Sequence, residues 1–192
     1  MAAALRAGIL SFNIESAEEM EVLARTAARL KRRAPVSVRL NPDIDAGTHP
    51  HITTGRAENK FGVGTEETLA LYRKASRDPR LRVVGIQCHI GSQITTLAPY
   101  RLAAASVAKM VSRLAASGIR LEFADVGGGL GITYQDERPF SLTAFARTMM
   151  FSPLRYAEVS SRSFDTSTPI TRLAPRRSAG ITLSRLSRGS PI

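Results

Sequence analysis

Three clusters of residues in this chain have types and spacings that could do chemistry. The first, Asp125-Val126-Gly127-Gly128-Gly129-Leu130-Gly131, is a glycine-rich turn directly after an apolar stretch. Residues without a Cβ let backbone N–H groups approach an anion closely. The turn is not a Walker A loop, since no Lys-Ser or Lys-Thr follows, nor a dinucleotide fingerprint, since its spacing is Gly-Gly-Gly-x-Gly. A phosphate is its natural ligand, and a purely structural turn is the alternative. The second cluster, His89-Ile90-Gly91-Ser92, offers a ring, a glycine turn and a hydroxyl that can donate to an oxyanion. Alone it says little, because a lone histidine more often fills a core or rim position and Ser92 has no sequence partner to make it a nucleophile. Taken with the glycine loop, Ser92 and Gly129 are expected to grip one phosphate from neighbouring strands.

The third cluster lies in the stretch 41–64, which is too long for a βα connector of about 2 to 6 residues and is expected to cover a mouth or meet a partner. It holds His49, His51, Lys60, Asp43, Asp45 and Glu58, at spacings that match no closed ligand set, so no metal is expected. Lys60, in Asn59-Lys60-Phe61-Gly62, reads as a Schiff-base amine, an anion contact or a surface lysine. Cys88 is the single cysteine and cannot form an internal disulfide. It reads as a small buried hydrophobe in a protein of a reducing, cytoplasmic compartment.

These clusters need a frame that brings them together, and the alternation of short apolar runs with longer amphipathic ones supplies a parallel α/β frame. Strands are expected near Ile9–Ile14, Val36–Leu40, Val83–Cys88 and Leu121–Val126. A capping box of Ser16 and Glu19 opens a helix carrying Met20, Leu23, Ala27 and Leu30 at helical spacing. Thr65 reads as the N-cap of the next, with Glu66 and Glu67 in its first turn. A third helix presents Tyr100, Ala103, Val107, Met110, Val111 and Leu114 on one stripe and stops at Gly118, and a fourth follows Ser141. In such folds ligands bind at the carboxyl ends of the strands. All three clusters follow strands two, three and four, whereas the opposite ends are preceded by plain material such as Arg32-Arg33-Ala34-Pro35.

Composition limits the remaining choices. The 192 residues carry 27 Lys plus Arg against 16 Asp plus Glu, a formal charge of +11, with 43% hydrophobic residues. That apolar share can build a core. The basic residues of the front part are interleaved with Glu and apolar positions in the manner of a solvated face, so nucleic acid is not the expected partner. No run approaches the roughly 18 apolar residues of a membrane span, and none is expected. Residues 152–192 are different in kind, with nine Ser, seven Arg, four Thr and four Pro and no sustained apolar period. The chain therefore divides into a folded part, 1–150, and a basic Ser/Arg-rich tail, 151–192, read as disordered or frame-shifted.

Four stretches in order, Asn41-Pro42-Asp43-Ile44-Asp45-Ala46-Gly47-Thr48-His49-Pro50, Asn59-Lys60-Phe61-Gly62, Cys88-His89-Ile90-Gly91-Ser92-Gln93 and Asp125 to Gly131, resemble the fold-type III, pyridoxal-phosphate (PLP) dependent decarboxylases. The Asn-Pro-Asp to His-Pro stretch is similar to their diaminopimelate branch in particular, and the likeness runs from about Ala2 to Ala146. The resemblance implies a partial (β/α)8 barrel of the alanine racemase-like kind. It also implies PLP as cofactor, a small amino-acid substrate, meso-2,6-diaminopimelate, decarboxylated to L-lysine, and a homodimer for the complete protein. By resemblance His89 stacks on the pyridine ring, Ser92 with Gly127, Gly128 and Gly129 holds the phosphate, and Arg39 and Lys60 lie near the cofactor. The family's Schiff-base lysine, its Glu-Pro-Gly-Arg segment and its Cys-Glu-Ser motif have no counterpart in these residues. No catalytic residue is therefore assigned, and no useful decarboxylation is expected of this polypeptide alone. Four strands, where a barrel needs eight and about 250 residues, predict two open sheet edges.

Overall fold

The computed structural model describes residues 1–44, 61–133, 138–150 and 152, and the backbone of 164–165 and 170–173. Its elements run α1 (Ala2–Ala7), β1 (Phe12–Ile14), α2 (Ala17–Arg29), β2 (Ala34–Leu40), α3 (Thr65–Arg77), β3 (Leu81–Cys88), α4 (Ala98–Ala116), β4 (Phe123–Asp125), α5 (Leu142–Met150), β5 (Phe164–Asp165) and β6 (Ile170–Leu173). Strands β1 to β4 are adjacent and parallel in chain order, each reached through a helix, which is the βα progression of a barrel wall.

Parallel pairing sets the two faces of this wall. Ile14, Val38, Ile86 and Ala124 are in register across four strands and are at most 1% exposed. They form one apolar layer with the stripes of α2, α3 and α4, including Leu23, Tyr72 and Val107. The alternate positions carry polar groups: Asn13 pairs with Ser37, and Arg39, Gln87 and Asp125 share one level. A wall that is apolar toward its helices and polar toward its inner surface sends its chemistry inward.

Side chains show how the strand joints hold. Between Val36 and Ser37 the register of β2 against β3 shifts. The fully buried Tyr72 spans this irregularity, its hydroxyl accepting from Val38 N–H at 3.1 Å and donating to the Gly85 carbonyl. Ser16 caps α2 as expected, accepting from Glu19 N–H at 3.1 Å, while the Glu19 carboxylate reaches one residue beyond the cap, to Glu15 N–H at 2.8 Å.

Strands β2 and β3 start two residues earlier than expected and β4 is shorter at both ends, and three further features differ from expectation. Strand β1 begins at Phe12 rather than Ile9, because α1 ends on Gly8 in the left-handed region (φ 70°), which leaves Ile9 and Leu10 exposed before pairing starts. The cap of α3 is Gly64, not Thr65. Val63 is still bridged to Leu40, so the helix can start only one residue later, and Thr68 Oγ1 donates to the Val63 carbonyl at 3.1 Å. The β4 edge is not open: β6 pairs antiparallel with it, Ala124 opposite Thr171, and β5 pairs on β6. An exposed row of N–H and C=O groups accepts any extended backbone, whatever its side chains. The stretch 45–60, with Lys60, His49, His51, Asp45 and Glu58, lies outside the described residues.

Candidate functional site

The carboxyl ends of β1 to β4 meet in one mouth. β2 ends in Asn41, whose Oδ1 accepts from Asp43 N–H at 3.0 Å. The chain returns at Val63, exchanging backbone bonds with Arg39 and Asn41, both 2.8 Å. β3 runs into His89 and the Gly91-Ser92 turn, and β4 into the glycine loop.

The last two are packed against each other. Ile94 N–H donates to the Gly129 carbonyl and Gly131 N–H to the Ile94 carbonyl, both at 2.9 Å, which closes a short parallel bridge beyond the strand ends. Gly129 has φ +83°, and a Cβ built on it would lie 1.9 Å from the Gly91 carbonyl oxygen and 3.2 Å from Ser92 Cα. Gly127, at φ +74°, touches the preceding residues: a Cβ there would meet the Cys88 carbonyl at 2.6 Å and His89 Nδ1 at 2.8 Å. No L-side chain fits either place. A Cβ on Gly128, by contrast, would meet nothing within 4 Å.

The polarity of this loop suits an anion. Two of its carbonyls are occupied: Gly129 by Ile94, and Gly128 by the Tyr100 hydroxyl at 3.0 Å. Gly127 N–H donates to the Asp125 carboxylate at 2.8 Å. Among the described residues the N–H groups of Gly128 and Gly129 and the exposed Ser92 hydroxyl donate to no protein group. Two backbone donors and a hydroxyl on neighbouring loops form a donor set that suits a phosphate.

Arg39 sits on the opposite flank. Its guanidinium donates to Glu15 Oε1 at 2.8 Å and lies 5.3 Å from the centre of the Phe61 ring. Glu15 Oε2 also accepts from Gly62 N–H at 3.1 Å, so one carboxylate ties the ends of β1 and β2 to the returning chain. Burial, aided by the nearby Arg39 charge, holds the His89 imidazole below its ordinary pKa, so the ring is neutral at pH 7. Burial pushes the Cys88 thiol up to about 12, as an inert buried hydrophobe requires. It also raises the Asp125 carboxyl, against the opposing hydrogen bond from Gly127. Between Arg39 and Asp125, the buried Gln87 has a side-chain oxygen that accepts no bond among the described residues.

His89, Ser92, Gly127, Gly128, Gly129 and Arg39 thus share the mouth. Sequence reasoning missed Glu15, Phe61 and the Tyr100 hydroxyl. Glu15 directly follows a strand end, the position where site residues belong, and that signal was readable. Tyr100 lies on the apolar stripe of its helix, and nothing in the spacing marks its hydroxyl.

A βα-wound wall with glycine-rich loops at its carboxyl ends defines the class, a partial (β/α)8 barrel. Within that class the chain belongs to the pyridoxal-dependent decarboxylases: residues 1–162 match the family model for their pyridoxal binding domain. It is 49% identical over 146 residues to diaminopimelate decarboxylase of Neisseria meningitidis serogroup B, covering 76% of this chain and 35% of that protein. The Pseudomonas aeruginosa diaminopimelate decarboxylase is 50% identical over 139 residues, covering 72% and 34%. The solved diaminopimelate decarboxylase of Helicobacter pylori, complexed with L-lysine, superimposes with TM-score 0.78 at 42% identity, covering 80% of this chain and 39% of that one. The chain spans about a third of the length of the curated relatives it matches. The family's cofactor is PLP, and the donor set at the mouth fits its phosphate. No helix among the described residues is long and apolar enough to cross a membrane.

Proposed function

We propose that this chain supplies the phosphate and ring contacts for PLP in a decarboxylase acting on meso-2,6-diaminopimelate to give L-lysine. The observation that carries the reading is the exposed Ser92 hydroxyl on a turn against which Gly129 packs too closely for a Cβ, together with the N–H groups of Gly128 and Gly129, unpaired among the described residues. In this reading those three donors bind the phosphate. Gly127 leaves room for His89, whose neutral imidazole would contact the pyridine ring without adding charge beside it. Arg39, anchored by Glu15, would stand near the cofactor on the β2 side of the mouth. Bound PLP acts as sink for the electron pair left when CO2 departs. The inner-face row of Arg39, Gln87 and Asp125 lines the floor beneath. Residues 1–150 do this work, with 151–192 a basic tail outside it. The complete protein is a cytoplasmic homodimer in this reading.

A second reading, a chain that binds PLP without catalysis, is favoured by one observation. Lys31, Lys74 and Lys109, the described lysines, sit at the end of α2 and on α3 and α4, none of them on the loops after β3 and β4. Titration of the full chain with PLP tests the shared claim. Saturable one-to-one binding displaced by inorganic phosphate is expected, and absence of binding would refute both readings. Borohydride separates them: fixation of PLP to the chain favours the enzyme, and full release on dialysis favours the binder.

A further inference from the structure

Tyr100 opens α4, and its ring is 1% exposed. Phe140 and Phe145 hold it edge-on, with centroids at 5.8 and 4.9 Å and interplanar angles of 83° and 78°. The ring cannot swing, so the hydroxyl is delivered to one place, the Gly128 carbonyl oxygen, 3.0 Å away. Burial pushes the phenol up to about 12, so it stays a donor throughout the physiological range.

The consequence lies in peptide geometry. The Gly128–Gly129 bond is trans, so the Gly128 C=O and the Gly129 N–H belong to one rigid plane and point in opposite directions. A buried phenol that holds the carbonyl inward turns the Gly129 N–H outward, next to Ser92. The neighbouring units are fixed by other groups, Gly127 N–H by Asp125 and the Gly129 carbonyl by Ile94. Among the described residues Tyr100 is the one side chain that sets the plane between them. With two glycines flanking that plane, nothing intrinsic to the chain prevents it from flipping.

We infer that Tyr100 is a positioning residue for anion binding: its hydroxyl, by holding the Gly128 carbonyl, aims the Gly129 N–H at the phosphate of the cofactor. The inference rests on the PLP reading above and adds to it a residue with no contact to the ligand.

Tyr100→Phe keeps both aromatic contacts and removes only the hydroxyl. The full chain and this variant are titrated with PLP, with inorganic phosphate, and with pyridoxal, which carries the ring but no phosphate. Tyr100→Phe is expected to weaken PLP and phosphate by about fivefold, the worth of one well-directed hydrogen bond, and to leave pyridoxal unchanged. Unchanged PLP affinity, or an equal loss for pyridoxal and PLP, would overturn the inference while leaving the PLP reading in place. A wild-type chain that binds neither PLP nor phosphate would overturn both.

Discussion

Gly129 presses so closely on the Gly91-Ser92 turn that a Cβ built on it would fall 1.9 Å from the Gly91 carbonyl oxygen. This contact joins the loops after β3 and β4 and brings the backbone of Ser92 against that of Gly129. The positive φ of +83° adds a second reason for glycine at this position. Gly129→Ala must therefore push the two loops apart. We expect at least a tenfold loss of PLP affinity, with a destabilisation of about 1–3 kcal/mol from the backbone strain, read by PLP titration and by urea unfolding.

Ser92 presents the opposite case. It is exposed and bonds to no described protein group, so removing its hydroxyl costs the fold nothing and the ligand one hydrogen bond. Ser92→Ala should keep the wild-type Tm within error and weaken PLP by about fivefold. A Tm shift of several degrees would show the hydroxyl to be structural.

Tyr72 closes the irregular joint between β2 and β3 and has no part in the mouth. Tyr72→Phe leaves the buried Val38 N–H without an acceptor and the Gly85 carbonyl without that donor. Such orphaned groups should lower stability by about 2 kcal/mol, measured as a fall in the urea midpoint at constant slope. PLP affinity extrapolated to zero urea should not change.

His89 gives the fold a pH dependence. Its folded pKa lies below the ordinary histidine value because burial and Arg39 disfavour the charged ring. The unfolded chain thus takes up the proton first. The stability this group contributes is complete above about pH 6.5, the unfolded value, and is lost as pH falls through the lower folded pKa. Asp125, raised by burial, works in the opposite sense at the acid end: its contribution is complete below the unfolded carboxylate pKa and is lost as pH rises through the folded one. Tm should fall between pH 7 and 5 more steeply for wild type than for His89→Gln. Parallel curves would show that His89 titrates as it does in the unfolded chain.

Much of this arrangement was legible in the sequence because it depends on local rules. Ser16 capped α2, Gly118 stopped α4, and the short apolar runs marked the four parallel strands. The side of the wall that carries the chemistry followed from where the glycines and His89 fall relative to the strands. What was not legible depends on contacts between residues distant in the chain. Glu15 could not be matched to Arg39 and Gly62 until β1, β2 and the returning chain were side by side. The Tyr100 hydroxyl has no signature beyond an aromatic on an apolar stripe. The pairing of β6 on β4 is a backbone event, to which the composition of the tail is blind.

The central claim is that Ser92 and the glycine loop close on one phosphoryl group, and its most direct test is the affinity of the full chain for PLP against that for pyridoxal. The account predicts that the phosphate makes binding at least tenfold tighter, about 1.4 kcal/mol, and that Gly129→Ala abolishes this advantage while pyridoxal binding persists. Equal affinities for the two ligands in the wild-type chain would contradict it.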